Sequence, residues 1–193
     1  MKVIFLYGAP ASGKLTIGKK LAEKTGIPLF HNHLTFDLAE VLYEPFTKPF
    51  NEYCAKLRLG VFEEAKLVHQ DLIFTFFYIS PDDNNFVNKV IHIVGESNVK
   101  FIKIEASSDT LLDRVDNKDR AKYSKINSKS VLTRYLKENN WSESIEETDS
   151  LIISTDNLTP DEAVQRIIEE YDLWLNQVPL LQYSNSPARF WNV

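Results

Sequence analysis

Gly8-Ala9-Pro10-Ala11-Ser12-Gly13-Lys14 has the spacing GxxxxGK and follows directly on the apolar run Lys2 to Tyr7. Two glycines so placed let the backbone curl until successive N–H groups converge on one point, an approach that side chains would block. A phosphate chain carrying several negative charges requires that convergence. A helix opening near Gly13 would add its unpaired N-terminal N–H groups and the positive end of its dipole. Lys14 then brings a mobile positive charge to the β and γ phosphates, where charge builds during transfer. Gly8, Ala9, Pro10, Ala11, Ser12, Gly13, Lys14, Leu15 and Thr16 are therefore the expected binding residues for ATP with Mg²⁺, and Lys14 is the expected catalytic cation.

The commonest form of this loop places Ser or Thr directly after the lysine, where the hydroxyl reaches Mg²⁺. Here Leu15 holds that position and the hydroxyl comes at Thr16. Neighbouring helix positions point about 100° apart, so Thr16 is no simple replacement. Thr16 is expected to face a phosphate and to serve the metal directly or through one of the waters that magnesium retains.

Lys-x-Thr is the spacing of adenylate kinases. The short N-terminal loop and the chain length also resemble shikimate kinase and chloramphenicol phosphotransferase, so the resemblance is to small P-loop kinases. It covers residues 1 to 175, and its specific part is the loop together with a few arginines. What it implies is ATP-dependent transfer of the γ-phosphate to a hydroxyl of a small molecule, on a sheet of strand order 2-3-1-4-5.

The elements that must position these residues alternate along the chain. Lys2 to Tyr7 reads as a buried strand, and Ile17, Leu21, Ala22 and Thr25 form a helical stripe that Gly26 stops. Leu29 to His33 reads as a second strand and Phe36 to Tyr43 as a helix. After the prolines Pro45 and Pro49, the residues Tyr53, Leu57, Val61, Ala65 and Val68 restore a stripe. Leu72 to Ile79 is apolar throughout, as a central strand covered on both faces should be, and Pro81 ends it. Asp82 and Asp83 open the next helix rather than forming a Walker B carboxylate. Gly95 closes that helix before the strand Val99 to Glu105. Ser108 caps a helix with Leu111, Leu112 and Val115 inward, and Val131, Leu132, Tyr135 and Leu136 mark another. Glu143 to Asp149 is an acidic connector and Leu151 to Thr155 a fifth strand. Thr159-Pro160-Asp161-Glu162 is a capping box ahead of Val164, Ile167, Ile168, Tyr171 and Trp174. The expected class is α/β: a three-layer sandwich of P-loop kinase type, with a five-stranded parallel sheet between helices.

With 193 residues, 44% of them hydrophobic and including 12 Phe and 8 Tyr, the chain suits a single domain spanning 1–193. A net charge of −5 argues against a nucleic-acid partner. One cysteine, no recognisable signal peptide and no apolar run long enough for a bilayer point to a reducing cytoplasm with no membrane partner. Cys54 lies in a helical pattern and reads as packing. The tail, 176–193, carries Phe190 and Trp191 and is a candidate for packing on the domain or on a second copy in a homodimer.

In open α/β sheets ligands bind beyond the carboxyl ends of the strands. After strand two stand His31, His33 and Asp37, where shikimate kinases carry Asp-x-Asp. A neutral imidazole holds aquo-magnesium poorly yet accepts a proton near pH 7, so His33 or Asp37 is the candidate base. Asp37 reads equally as a helix cap. The two histidines, as alternate residues of one strand, would share a face, with no third metal ligand evident. Shikimate kinases hold the acceptor's carboxylate with an arginine in the third helix, which implies that role for Arg58; its plain alternative is a surface salt bridge. Thr75 and Tyr78 are further acceptor candidates, with ordinary core as the competing reading.

The polar segment 116–129 is the candidate lid. In the kinases resembled here one arginine lies near the adenine and another on the phosphates, which implies those roles for Arg114 and Arg120, the latter catalytic, with Lys118 and Lys122 close by. Asp156 and Asn157 follow strand five, where the family's adenine-contacting loop lies. Two other functions stay open: a nucleoside or nucleotide kinase, which would need a second arginine near Arg58, and a nucleotide-binding regulatory protein without transferase activity.

Overall fold

The structure, a computed structural model, describes residues 1–116, 128–139, 141–146 and 148–173. Strands β1 (Val3–Tyr7), β2 (Leu29–His31), β3 (Leu72–Phe76), β4 (Val99–Glu105) and β5 (Leu151–Ser154) form one parallel sheet ordered β2-β3-β1-β4-β5. Seven helices are described: α1 (Lys14–Thr25), α2 (His33–Glu40), α3 (Lys48–Leu67), α4 (Asn84–Val94), α5 (Ser108–Val115), α6 (Lys129–Glu138) and α7 (Pro160–Tyr171). The α/β class and strand order are those expected.

Residues alternate across a strand, and here the two faces differ in chemistry. Val3, Phe5, Tyr7, Phe74, Phe76 and Phe101 join Phe62 of α3 and Phe86 of α4 in an aromatic layer. Phe5, Phe62 and Phe74 meet edge to face, with centroids 5.1 Å apart in both pairs that include Phe74. Such pairs add about 0.5–1.5 kcal/mol each beyond the area they bury. On the opposite face Ile4, Leu6, Ile73, Ile102, Ile104 and Ile153 pack on α1 and α7. The predicted capping box opens α7, with Glu162 accepting from the Thr159 N–H at 2.8 Å.

Several boundaries differ from the sequence reading. β2 ends at His31 and β3 at Phe76, while α2 begins at His33 and not at Phe36. His33 is thus helical, and the two histidines do not alternate along a strand. Asp83 is the cap residue of α4, which starts at Asn84. The hydroxyl that caps α5 belongs to Ser107, one residue before Ser108, and accepts from the Thr110 N–H. The buried stripe of α3 is Phe50, Cys54, Arg58, Phe62 and Ala65, leaving Val61 and Val68 outside. A cysteine and an arginine on the inward face disguise its phase. In α6 Leu132 is buried while Val131 is exposed. Among the described residues no helix is long and apolar enough to cross a membrane.

Candidate functional site

The phosphate loop is built as its residue types require. Gly8, Ala11 and Gly13 hold φ of 140°, 68° and 101°, so the backbone curls between the end of β1 and the start of α1. A Cβ on Gly8 would stand 2.1 Å from the carbonyl oxygen of Ile104, so no other residue fits beside β4. Gly13 has room for a side chain, its nearest neighbour being Ile17 Cδ1 at 3.9 Å, but not the backbone angle.

Three supports hold the loop from outside. Ala9 and Ala11 are buried with Ala106, Leu111, Val115 and Leu132, which seats the loop against α5 and α6. Thr155, just past β5, donates to the Ser12 carbonyl at 3.1 Å or to that of Glu105 at 3.2 Å. Arg114 of α5 donates at 2.8 Å to the Thr155 hydroxyl and at 2.7 Å to its carbonyl. The Lys14 ammonium lies across the mouth, donating to the carbonyls of Gly8 at 2.8 Å and Ala9 at 2.5 Å.

The donor set suits a polyphosphate: curled backbone amides, a helix N-terminus and a cation at one point. For a metal the protein offers less. Leu15 is half-buried and Thr16 exposed, and among the described residues no group of three His, Cys, Asp or Glu could hold an ion. Magnesium would come with the nucleotide and keep most of its waters, with Thr16 the hydroxyl nearest in sequence.

Arg114 lies beside the end of β5, bonded to Thr155. Asp156 is committed to structure: its carboxylate accepts from the Ser107 N–H at 3.0 Å and holds the start of α5. Hydrogen bonds from Thr110 and Ser107 keep it ionised below its usual range. Asn157 is exposed. Behind the loop a cavity of about 320 Å³ is lined by Gly8, Lys103, Ser107, Trp141 and Asp156. The Lys103 ammonium, tied to the Ser142 carbonyl at 2.6 Å and to Glu105 at 3.4 Å, latches the 141–146 segment to β4.

The acceptor candidates separate into three groups. Arg58 is 7% exposed, and its guanidinium carbon lies 5.7, 5.6 and 5.9 Å from the ring centres of Phe36, Phe76 and Phe86. Its Nε donates to the Thr35 hydroxyl at 3.2 Å. Burial pulls its pKa down to about 10, against the influence of Cys54 and Asp83. The surface salt bridge is therefore excluded. His33 and Asp37 lie one helical turn apart on α2, about 160–200° round the axis from Thr35. The His33 ring nevertheless meets Phe36, one of the rings around Arg58, edge to face at 5.5 Å, whereas Asp37 is exposed. The rings of His31 and His33 are 6.1 Å apart.

Thr75 is a correction. It falls on the aliphatic face, where its methyl would sit 3.3 Å from a Cβ on Gly18 of α1, and it takes part in that packing rather than in a site beside Arg58. Phe74 and Phe76, its neighbours, face the Arg58 side. Tyr78 is buried, donating to Asn84 Oδ1 at 2.5 Å. Arg120, Lys118, Lys122 and the tail lie outside the described residues, as does most of the expected lid, 116–129.

Two residues that the sequence pattern does not single out come forward. Thr155 reads there only as the end of a strand, although strand ends are where such sheets place their sites. Asp83 reads as a helix opening, yet its carboxylate makes no capping bond and turns back to accept from the Ile79 N–H at 2.8 Å. Burial pushes its pKa up to about 6, opposed by the Ile79 N–H and by Arg58. No local residue spacing marks it.

No family model matches the chain, and no curated protein matches it. Solved structures do. A sugar kinase from Janibacter sp. HTCC2649 superposes with a TM-score of 0.68 at 13% identity, over 90% of this chain and 95% of that one. The tunicamycin resistance protein of Deinococcus radiodurans gives 0.64 at 16% identity, over 91% and 98%. Shikimate kinase from Bacteroides thetaiotaomicron gives 0.60 at 17% identity, over 89% and 98%. At these identities the likeness is one of fold, and the fold is that of small P-loop kinases.

Proposed function

We propose that the protein is an ATP-dependent kinase of a small hydroxylated molecule. The observation that carries this reading is the phosphate cradle: three positive-φ positions curling the loop, with the Lys14 ammonium at its mouth. The fold shared with a sugar kinase and a shikimate kinase supports it.

In this reading the loop amides and Lys14 hold the β and γ phosphates and offset the charge that develops on them. Magnesium would neutralise charge between those phosphates. Arg114, fixed on Thr155, lines the base side. The acceptor sits toward β2 and β3, with Arg58 as its buried cation. Its hydroxyl oxygen bonds to the γ phosphorus as the bond from phosphorus to the β–γ bridging oxygen breaks. The hydroxyl proton passes to a base on α2, for which His33, whose ring packs on Phe36 beside Arg58, is better placed than the exposed Asp37.

The test begins with binding. Mg·ADP or Mg·ATP raises the melting temperature of the wild type, and Lys14→Ala removes the shift. No shift at millimolar nucleotide would refute the proposal. ADP release is then followed over sugars, shikimate-like acids, aminoglycosides, chloramphenicol and nucleosides.

A further inference from the structure

Of the eleven large hydrophobic residues that stand exposed among the described ones, six fall between residues 34 and 46. Scattered singly, such residues need no explanation, but gathered on one face they mark a surface that another group covers. Leu34, Leu38, Val41 and Leu42 hold the spacing i, i+4, i+7, i+8 over α2 and the turn after it, with Leu38 58% and Val41 77% exposed. Phe46 follows, also exposed, at a φ of 64°. Leu34 and Leu38 lie about 100° and 140° round the axis from His33, so this is not the face that carries the candidate base.

The same stretch holds three exposed carboxylates, Asp37, Glu40 and Glu44, and neither Lys nor Arg. That charge argues against a second copy of the face as its cover. A two-fold interface sets a patch against itself and would bring these carboxylates toward their own copies. A cation among aromatic side chains is the complement.

Residues 174–193, outside the described part, have that character. They include Trp174, Leu180, Leu181, Phe190 and Trp191, and Arg189 is their one charged side chain. A segment so rich in aromatic and aliphatic groups gains by leaving water. It continues from Leu173, which is buried against the aliphatic face of the sheet. Trp191 comes eighteen residues later, a reach of roughly 60 Å. A domain of this length is roughly 40 Å across. The segment therefore reaches α2 without a second molecule, and its tether favours that contact over one between chains.

We infer that residues 174–193 dock on the exposed apolar face of α2 in the same chain, with Phe190 and Trp191 against Leu34, Leu38 and Leu42 and with Arg189 toward the carboxylates beside them. The inference does not depend on the kinase reading. It makes α2 a strapped element, with His33 on one flank and the tail on the other.

Trypsin reads the docking directly, since Arg189 is the one tryptic site in 174–193. Cleavage after it is followed on the full-length protein by mass spectrometry, as loss of Phe190 to Val193. The wild type is expected to be cut there about tenfold more slowly than a chain carrying both Leu38→Asp and Leu42→Asp. Both substitutions fall at exposed positions, so the variant should still melt cooperatively. Should it not, Val41→Asp alone is read in the same way. The slow wild-type rate should persist through about hundredfold dilution, as a contact within one chain requires. A difference under about threefold between wild type and variant overturns the inference. So does protection that disappears on dilution together with a dimer seen in sedimentation, which would give the face to a second copy. The Mg·ADP melting shift plays no part in this readout, so the kinase reading stands or falls separately.

Discussion

The Thr155 hydroxyl accepts a 2.8 Å hydrogen bond from Arg114 and stands 3.1 Å from the carbonyl oxygen of Ser12. One hydroxyl thereby ties the arginine of α5 to the phosphate loop, and Ser12 is fully buried, so water does not replace that donor. The loop's curvature and the placement of Arg114 are set by the same residue.

Thr155→Val keeps the shape of the side chain and removes this tie. A buried acceptor left without a donor costs about 1–3 kcal/mol. The expected outcome is Mg·ADP binding about tenfold weaker by calorimetric titration. Thr155→Ser, which retains the hydroxyl, should restore it. Equal affinity for the valine variant would mean that the loop is fixed by α5 and α6 packing alone.

The two loop glycines should differ when replaced by alanine. At Gly8 the added carbon would meet the Ile104 carbonyl at 2.1 Å, so crowding of about 1–3 kcal/mol adds to backbone strain. At Gly13 only the φ of 101° is penalised. Thermal unfolding should therefore show Gly8→Ala losing clearly more stability than Gly13→Ala. Comparable losses would show that β4 yields to the extra carbon.

How far these features are legible in the sequence follows from which residues carry them. The loop, β1 and the α7 capping box are visible because each is fixed by local residue types: glycines for curvature, a Thr and a Glu three apart for the cap. The strand order comes from resemblance, since pairing across a sheet leaves no local trace. β3 hides its faces, because Leu72 to Phe76 is buried on both sides and only a change from aromatic to aliphatic separates Thr75 from Phe74. The phase of α3 is obscured by Cys54 and Arg58 standing where aliphatic residues are expected. Asp83 is invisible for a different reason: its carboxylate is half-buried and turned back onto the Ile79 N–H by the turn after β3, which no local spacing announces.

Arg58 offers a separation of stability from function. Its side chain lies among Phe36, Phe76 and Phe86, and its hydrogen-bond partner, Thr35, also donates to the Asn32 carbonyl at 2.8 Å. A buried charge carries a desolvation penalty on the order of several kcal/mol that only a well-paired partner repays, so a hydrocarbon in place of this cation is expected to be neutral or stabilising. Arg58→Leu should thus melt at or above the wild-type temperature, keep its Mg·ADP shift and lose acceptor-stimulated ADP release. A large fall in melting temperature would assign Arg58 a mainly structural role.

Asp83 should make stability depend on pH in the direction opposite to a salt-bridged carboxylate. Its folded pKa is raised to about 6 from an ordinary value of 3.8, first by burial, with Asp82 adding and the Ile79 N–H and Arg58 opposing. Well below pH 4 the group is protonated in both states and carries no penalty. As pH rises from about 4 to 6 the unfolded chain releases its proton more readily than the folded one, so stability falls across that window and stays lower above it. A rise of that size corresponds to at most about 3 kcal/mol, less what partial solvation returns. Asp83→Asn, which still accepts from Ile79, removes the ionisation. The variant should melt above the wild type at pH 7.5, and that gap should close as pH is lowered toward 4. A gap that stays constant over this range would show that the Asp83 carboxylate ionises in the folded protein as it does in water.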